Sequence, residues 1–259
     1  MRFARRCVQL IAASCLALPV CAQTDPLAGD PYRSYPWIDM RQLYLENAKV
    51  IFDERVKVLG PAFAEDPMNV PISVRVDPAL GAVEKIVVLV DRNPIRRVLE
   101  FRPVDALPSI AFRFKLEQAS PVRAAVKLKS GQWVAGGTFV ESSGGGCTVS
   151  GASRADGSWS RTLGEVSGKL FTRSGDAASR LRLQIMHPMD TGLANGIPAF
   201  FVNRLSVRSG AGRELARVDA FEPVSENPVF SFDFAVAPAG GVRIVGADNN
   251  GNRIASQLQ

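Results

Sequence analysis

The chain carries an internal repeat, and the repeat constrains its fold more than any other feature. Residues 97–131 can be laid on residues 217–251 without a gap. Arg97, Val98, Phe101, Pro103 and Val104 then fall on Arg217, Val218, Phe221, Pro223 and Val224. Pro108, Phe112, Phe114, Val122, Arg123 and Gly131 fall on Pro228, Phe232, Phe234, Val242, Arg243 and Gly251. With Ala119 on Ala239 these make twelve identities in 35 positions, where ordinary composition gives about two by chance. Self-similarity at a fixed offset means the same local structure built twice. Phe112 and Phe114 alternate as on a strand, and Gly131 and Gly251 both fit hairpin turns.

The segments between these landmarks read as strands. Val70 to Val76 alternates cleanly, Ile86 to Val90 is a continuous apolar run suited to a strand covered on both faces, and Ile110 to Leu116, Val122 to Leu128 and Trp133 to Val140 continue the pattern. Several short strands separated by turns and almost no helix predict an all-β chain of two tandem immunoglobulin-like β-sandwich domains. The exception is Trp37 to Val50, where Ile38, Met40, Leu43, Tyr44 and Leu45 fall near helical spacing and predict a short amphipathic helix packed on the first sandwich as a strap.

The N-terminus is expected to be processed. Three arginines within Met1–Arg6, an apolar run from Cys7 to Val20 and small residues flanking Cys21 read as a secretory signal peptide over residues 1–22. The run is shorter than the roughly 20 residues a bilayer span needs and Pro19 interrupts it, so no membrane span is expected in the mature chain. Loss of Arg2, Arg5 and Arg6 takes the formal charge from +6 to +3. The remaining basic residues are interspersed with acidic ones, which argues against nucleic acid as a partner.

Processing also removes Cys7, Cys15 and Cys21, leaving Cys147 without a disulfide partner. It sits in Ser142-Ser143-Gly144-Gly145-Gly146-Cys147-Thr148-Val149-Ser150-Gly151. The second repeat ends at Gln259, equivalent to position 139, so Glu141 to Cys147 extends the first copy without a counterpart in the second. Gly144, Gly145 and Gly146 have the largest backbone freedom and nothing to pack, which predicts a flexible, exposed arm. An unpaired cysteine in an oxidising compartment needs a use or a burial place, and this composition favours a use. No His or Lys lies within ten residues of it, so nothing local lowers a thiol pKa near 8.5. A catalytic cysteine needs a rigidly held base and oxyanion hole, which three glycines do not favour. The chain is therefore not expected to be an enzyme.

The single histidine, His187, lies in Ile185-Met186-His187-Pro188-Met189-Asp190-Thr191-Gly192. The readings open from sequence are an ordering role in a strand-end turn, a contact lining the surface where the arm rests, or a dyad with Cys147. His187, Met189 and Asp190 are the candidate arm or partner contacts. Asp248-Asn249-Asn250-Gly251-Asn252 lacks the sixth-position glycine of a calcium loop and reads as a hairpin. No cofactor or metal motif is present.

An all-β domain ending in Gly145-Gly146-Cys147 resembles SoxY, and His187–Gly192 together with Ser225-Glu226-Asn227-Pro228 and Asp248–Gly251 resembles SoxZ. The two look fused, as in SoxYZ-like carriers associated with quinoprotein dehydrogenases. The resemblance implies that Cys147 carries a sulfur-containing group covalently in the periplasm. It implies sulfur-oxidation enzymes or a quinoprotein dehydrogenase as partners, and no cofactor. A noncovalent accessory of an exported quinoprotein dehydrogenase is the alternative. In the family the arm ends as a free C-terminus, whereas here Thr148 follows. The expected organisation is an N-terminal extension over 23–48, a SoxY-like domain over 49–141, an arm and linker over 142–158, and a SoxZ-like domain over 159–259.

Overall fold

The computed structural model describes residues 25–27, 29–172 and 177–259; the expected signal peptide lies outside the described residues. Helix α1 spans Pro36–Tyr44. It is followed by β1 (Val50–Phe52), β2 (Val56–Leu59), β3 (Phe63–Ala64), β4 (Val70–Val76), β5 (Val83–Val90), β6 (Arg97–Arg102), β7 (Ser109–Phe114), β8 (Ser120–Leu128) and β9 (Trp133–Ser142). A short helix α2 (Ala152–Asp156) leads to β10 (Val166–Thr172), β11 (Ser179–Ile185), β12 (Val202–Ser209), β13 (Glu214–Ala220), β14 (Val229–Phe234), β15 (Val242–Asp248) and β16 (Arg253–Leu258). Both expected hairpins are present: Ser130-Gly131 joins β8 to β9, and Asn250-Gly251 joins β15 to β16. No helix among the described residues is long and apolar enough to cross a membrane.

The fold is all-β and its halves are immunoglobulin-like sandwiches, but they are not separate beads. A ten-stranded sheet runs β1-β9-β8-β5-β6-β13-β12-β15-β16 with β3 beside β9, and a six-stranded sheet runs β10-β11-β14-β7-β4-β2. Each sheet therefore passes from one half into the other, at β6–β13 and at β7–β14. The pairing respects the repeat. Leu99 lies opposite Ala220 and Glu100 opposite Asp219, so each faces the equivalent of the other, while Ala111 lies opposite Ser231, its own equivalent. Two copies of one unit thus join edge to edge about a local two-fold axis. Inward-facing side chains of both halves merge into one core, with Phe101 and Phe232 in ring contact at 5.8 Å across the junction.

The N-terminal segment covers one outer face. Trp37, Met40 and Leu45 pack on Val87 and Leu89 of β5, Ala125 of β8, and Trp133 and Ala135 of β9. This explains the uninterrupted apolar run in β5, which is buried on both faces. The helix stops at Tyr44, earlier than the pattern to Val50 predicts. Glu46 and Asn47 adopt positive φ, and the chain turns into β1. The strap is fastened by Arg123. Its guanidinium bonds Asp91 through Nε and Nη2, both at 2.7 Å, and Asp30 through Nη1 at 2.6 Å. It also lies over the rings of Trp37 and Tyr32. All three charged residues are buried. The repeat-equivalent Arg243 is exposed, on an outer face where Arg204, Arg243 and Arg253 meet water. Only the half with an apolar outer face has a strap.

Removing the cation from a buried cluster leaves uncompensated charge. Arg123→Leu is expected to cost about 3–5 kcal/mol in urea denaturation, against less than about 0.5 kcal/mol for Arg243→Leu. Burial pushes the Asp30 carboxyl up, but hydrogen bonds from Arg123 and from the Ser34 and Tyr32 amides more than offset it, leaving it below the usual 3.8. A depressed carboxyl stabilises the fold above its unfolded pKa and loses that contribution as pH falls through its folded value. The thermal midpoint should therefore drop below about pH 4, and Asp30→Asn should flatten that part of the profile.

Candidate functional site

The end of β9 delivers residues 142–151 into the seam between the two halves. The expectation of a free, exposed arm is overturned: Cys147 is buried at 1% relative exposure. The reason is that the glycines permit close packing. Gly145 N–H donates to Glu117 O at 3.0 Å and Gly146 N–H to Leu116 O at 3.2 Å, so the arm runs against residues 116–117 beyond β7. A Cβ at Gly144 would come within 2.7 Å of Glu117 O, and one at Gly146 would collide with Pro67 O and approach Leu116 O at 2.7 Å. Gly144 and Gly145 also hold φ of +89° and +87°, which favour glycine.

Cys147 is then held from both sides. Its amide donates to Glu117 Oε2 at 2.9 Å, and its carbonyl accepts from Thr191 Oγ1 at 2.6 Å. Its thiol points to Lys115 O at 3.5 Å. Thr148 Oγ1 adds a bond to Glu117 Oε1 at 3.2 Å. Beneath the arm, the buried Lys115 side chain crosses the seam and donates from Nζ to Met189 O. Asn93 braces the same turn, donating to Lys115 O and accepting from Glu117 N–H, each at 2.8 Å.

The second half supplies a preformed cradle. His187 accepts from Met189 N–H at Nδ1 and presents Nε2 to Asp248 Oδ2 at 3.4 Å, a contact short of hydrogen-bond geometry. Asp248 is fixed by Asn250 and Asn252, and the His187 backbone exchanges bonds with Asn227. The three stretches around 187–192, 225–228 and 248–251, far apart in sequence, thus converge on one loop. Met189 is buried with φ of +50°. Asp190 is buried and receives Arg154 of α2, whose guanidinium also covers Trp159 at 4.4 Å. Glu226 caps α2 by accepting from Ala152 N–H at 2.8 Å and Ser153 N–H at 2.6 Å.

Electrostatically the site is built to silence the thiol. Burial, then the Glu117 carboxylate, pushes Cys147 up to about 12, with Lys115 opposing. Burial lowers Lys115, countered by Asp190, Cys147 and Glu226. Burial takes His187 down to about 4, Asp248 resisting, so the ring is neutral. Both of its nitrogens face partners in its own half, and it does not serve Cys147 as a base. Of the sequence candidates, Cys147 and Gly144–Gly146 sit together, while His187, Met189 and Asp190 shape the loop whose Thr191 grips the arm. Sequence reasoning missed Glu117, Lys115 and Arg154; Thr191 and Glu226 lie inside the stretches it singled out at 187–192 and 225–228, but it gave them no role. Of the three missed, Lys115 carries a signal, a charge inside the apolar run Phe114-Lys115-Leu116.

Comparison with known proteins follows the same division. The family model described as sulfur oxidation protein SoxY matches residues 40–147, and that described as sulphur oxidation protein SoxZ matches residues 171–259. Among solved structures, the sulfur carrier protein SoxY from Chlorobium limicola f thiosulfatophilum aligns at 15% identity and a TM-score of 0.36, covering 41% of this chain and 90% of that one. No curated protein matches the chain.

Docking of the arm has an alkaline limit set by the buried thiol. A group whose pKa is raised by docking supports docking below its free value and ceases to as pH rises, here from 9.0 towards about 12 for Cys147. Labelling of Cys147 by a neutral disulfide reagent, corrected for free-thiol ionisation, should be slowest below about pH 9 and rise above it. Glu117→Ala removes charge-assisted bonds and should speed labelling about tenfold or more, and Thr191→Val about fivefold. Gly146→Ala should open the arm altogether.

Proposed function

The chain belongs to the SoxY and SoxZ families, joined here in one polypeptide, and on that premise we propose that it is a covalent sulfur carrier. The observation that carries the reading is the clamp on Cys147: its backbone N–H donates to the Glu117 side chain of one half and its carbonyl accepts from the Thr191 side chain of the other, holding a thiol that is inert while docked. Such bonds are individually weak, of order 1 kcal/mol, so the arm can be released without unfolding either sandwich. Once undocked, the thiol regains an ordinary pKa and part of it ionises. The thiolate then attacks one sulfur of a donor's S–S bond. That bond breaks, a new S–S bond forms to Cys147, the other half of the donor leaves as an anion, and the thiol proton passes to water. No external oxidant is required. Unloading is the same exchange with a partner's nucleophile.

The division of labour follows the organisation of the chain. The unit over 49–141 carries the arm, residues 142–158 form arm and tether, and the unit over 159–259 supplies the cradle of His187, Met189, Asp190 and Thr191. Residues 1–22 direct export, and the working compartment is the periplasm. Partners are sulfur-oxidation enzymes or a quinoprotein dehydrogenase.

A noncovalent accessory role is the second reading, favoured by the same burial that keeps the thiol silent. The two differ in the fate of Cys147→Ser, which abolishes loading in a carrier and changes nothing in an accessory. Intact mass of the protein purified from its native periplasm, before and after reductant, should reveal a sulfur adduct that reductant removes and Cys147→Ser lacks. Tetrathionate should install the same class of adduct in vitro, with thiosulfate as the leaving group. A bare thiol under every growth condition would overturn the carrier reading.

A further inference from the structure

The outer face of the six-stranded sheet has a charge pattern that nothing in the carrier chemistry uses. Cross-strand partners place Lys169, Arg182, Ser231, Ala111, Ser73 and Leu59 in one row running across all six strands and both halves. Neighbouring outward positions bring the cations on this face to six: Lys57, Arg75, Arg113, Lys169, Arg180 and Arg182, all exposed. Asp233 is the one outward carboxylate on these strands, and Arg180 and Ser109 already engage it, at 2.7 and 2.9 Å. The middle of the row is floored by the small residues Ser231, Ala111 and Ser73, a shallow trough between two basic flanks. Leu59 and Phe171, each half exposed, stand at its two ends.

This face borders the arm. A cleft of about 390 Å³ is lined by Arg113 and Val229 from the sheet and by Ala152, Ser153 and Glu226 at the foot of the arm. The capped and ion-paired α2 holds that foot, so an undocked Cys147 lies four steps from Gly151 and reaches roughly 14 Å from it. Whatever exchanges with the thiol must therefore sit beside it.

We propose that the outer face of the six-stranded sheet is the docking surface for an acidic protein that exchanges cargo with Cys147; the proposal rests on the carrier reading above. Like charges on neighbouring strands, Lys169 opposite Arg182 and Lys57 opposite Arg75, add into a field that steers a complementary surface and raises its association rate. A second copy of this chain would bring the same positive face and be repelled. Neither nucleic acid nor lipid offers a site that takes a sulfur group, whereas an enzyme with a shallow, acid-rimmed mouth does. The face spans the seam, so a docked partner contacts both halves at once.

The test is photo-crosslinking in the native bacterium, with a benzophenone amino acid replacing Ser73 or Ser231 in the full chain and Arg243 as the control position on the other sheet. The expected result is a crosslink from Ser73 and Ser231, not from Arg243, to a protein whose mass identifies it as acidic. The double variant Arg113→Glu, Arg182→Glu should reduce it at least tenfold. Both arginines are exposed and have no ion-pair partner among the described residues, and an unchanged urea midpoint shows that the variant folds. A crosslink to a basic or neutral protein, to lipid, to nucleic acid or to a second copy overturns the proposal, as does the absence of a charge-dependent protein crosslink. Intact mass of Cys147 in the same cells separates the two readings. If Cys147 never loads, the carrier reading fails; if it loads and unloads normally in the double variant, only the docking surface fails.

Discussion

Strand pairing across the local two-fold, β6 with β13 and β7 with β14, is the contact on which the rest of the structure depends. A sandwich ending at β6 and β7 would leave two edges of unpaired amides and carbonyls, and the repeat gives each half the same two edges. Pairing them to each other removes both at once and merges the cores. It also sets the relative position of the halves by register, and the site follows. The Lys115 amide, just beyond β7, donates to Pro223 O at 2.6 Å, and its ammonium crosses to Met189 O. Neither half alone could hold Cys147, because Glu117 grips it from one side of the seam and Thr191 from the other.

The arm shows how one residue type serves two opposed requirements. Glycine lets a segment move, and it also lets backbone approach backbone where a Cβ would collide. Here the second property is on display at Gly144 and Gly146, while the first is what release would draw on. A few polar bonds and the burial of Cys147 hold the segment against the ordering entropy of about eight residues. Burial does the remaining work: a thiol driven towards 12 is a poor nucleophile, and a sulfur that reacts only when undocked is protected from adventitious oxidation.

The tether adds a constraint absent from a free-ended arm. Glu226, capping α2, and Asp190, pairing with Arg154, convert the linker after Cys147 into an anchor. The segment that carries Cys147 is a loop rather than a tail, so any displacement of it would be bounded by the shorter of its two sides. The asymmetry of the outer faces has a similar logic. The first half buries an apolar face under α1 and a strap pinned by Arg123, while the second leaves Arg243 in water, so homologous positions serve different ends.

Much of this was legible in the residues alone. The repeat, the alternating strands, the hairpins at Ser130-Gly131 and Asn250-Gly251 and the isolation of Cys147 are local patterns, and local patterns are what period and composition report. The length of α1 was not legible, because its end is set by positive φ at Glu46 and Asn47. The merging of the sandwiches was not either, since a strand's sequence does not say which edge it will meet. The arm was misjudged for the same reason: composition measures what Gly144–Gly146 lack, and only the partner surface, Pro67 with Leu116 and Glu117, decides whether that absence means mobility or close contact. Sequence by itself determined that there are two related β units and one thiol on a glycine-rich segment. Tertiary structure decided that the units share their sheets and that the thiol is buried in their seam, because register, close approach and desolvation depend on residues brought together from opposite ends of the chain.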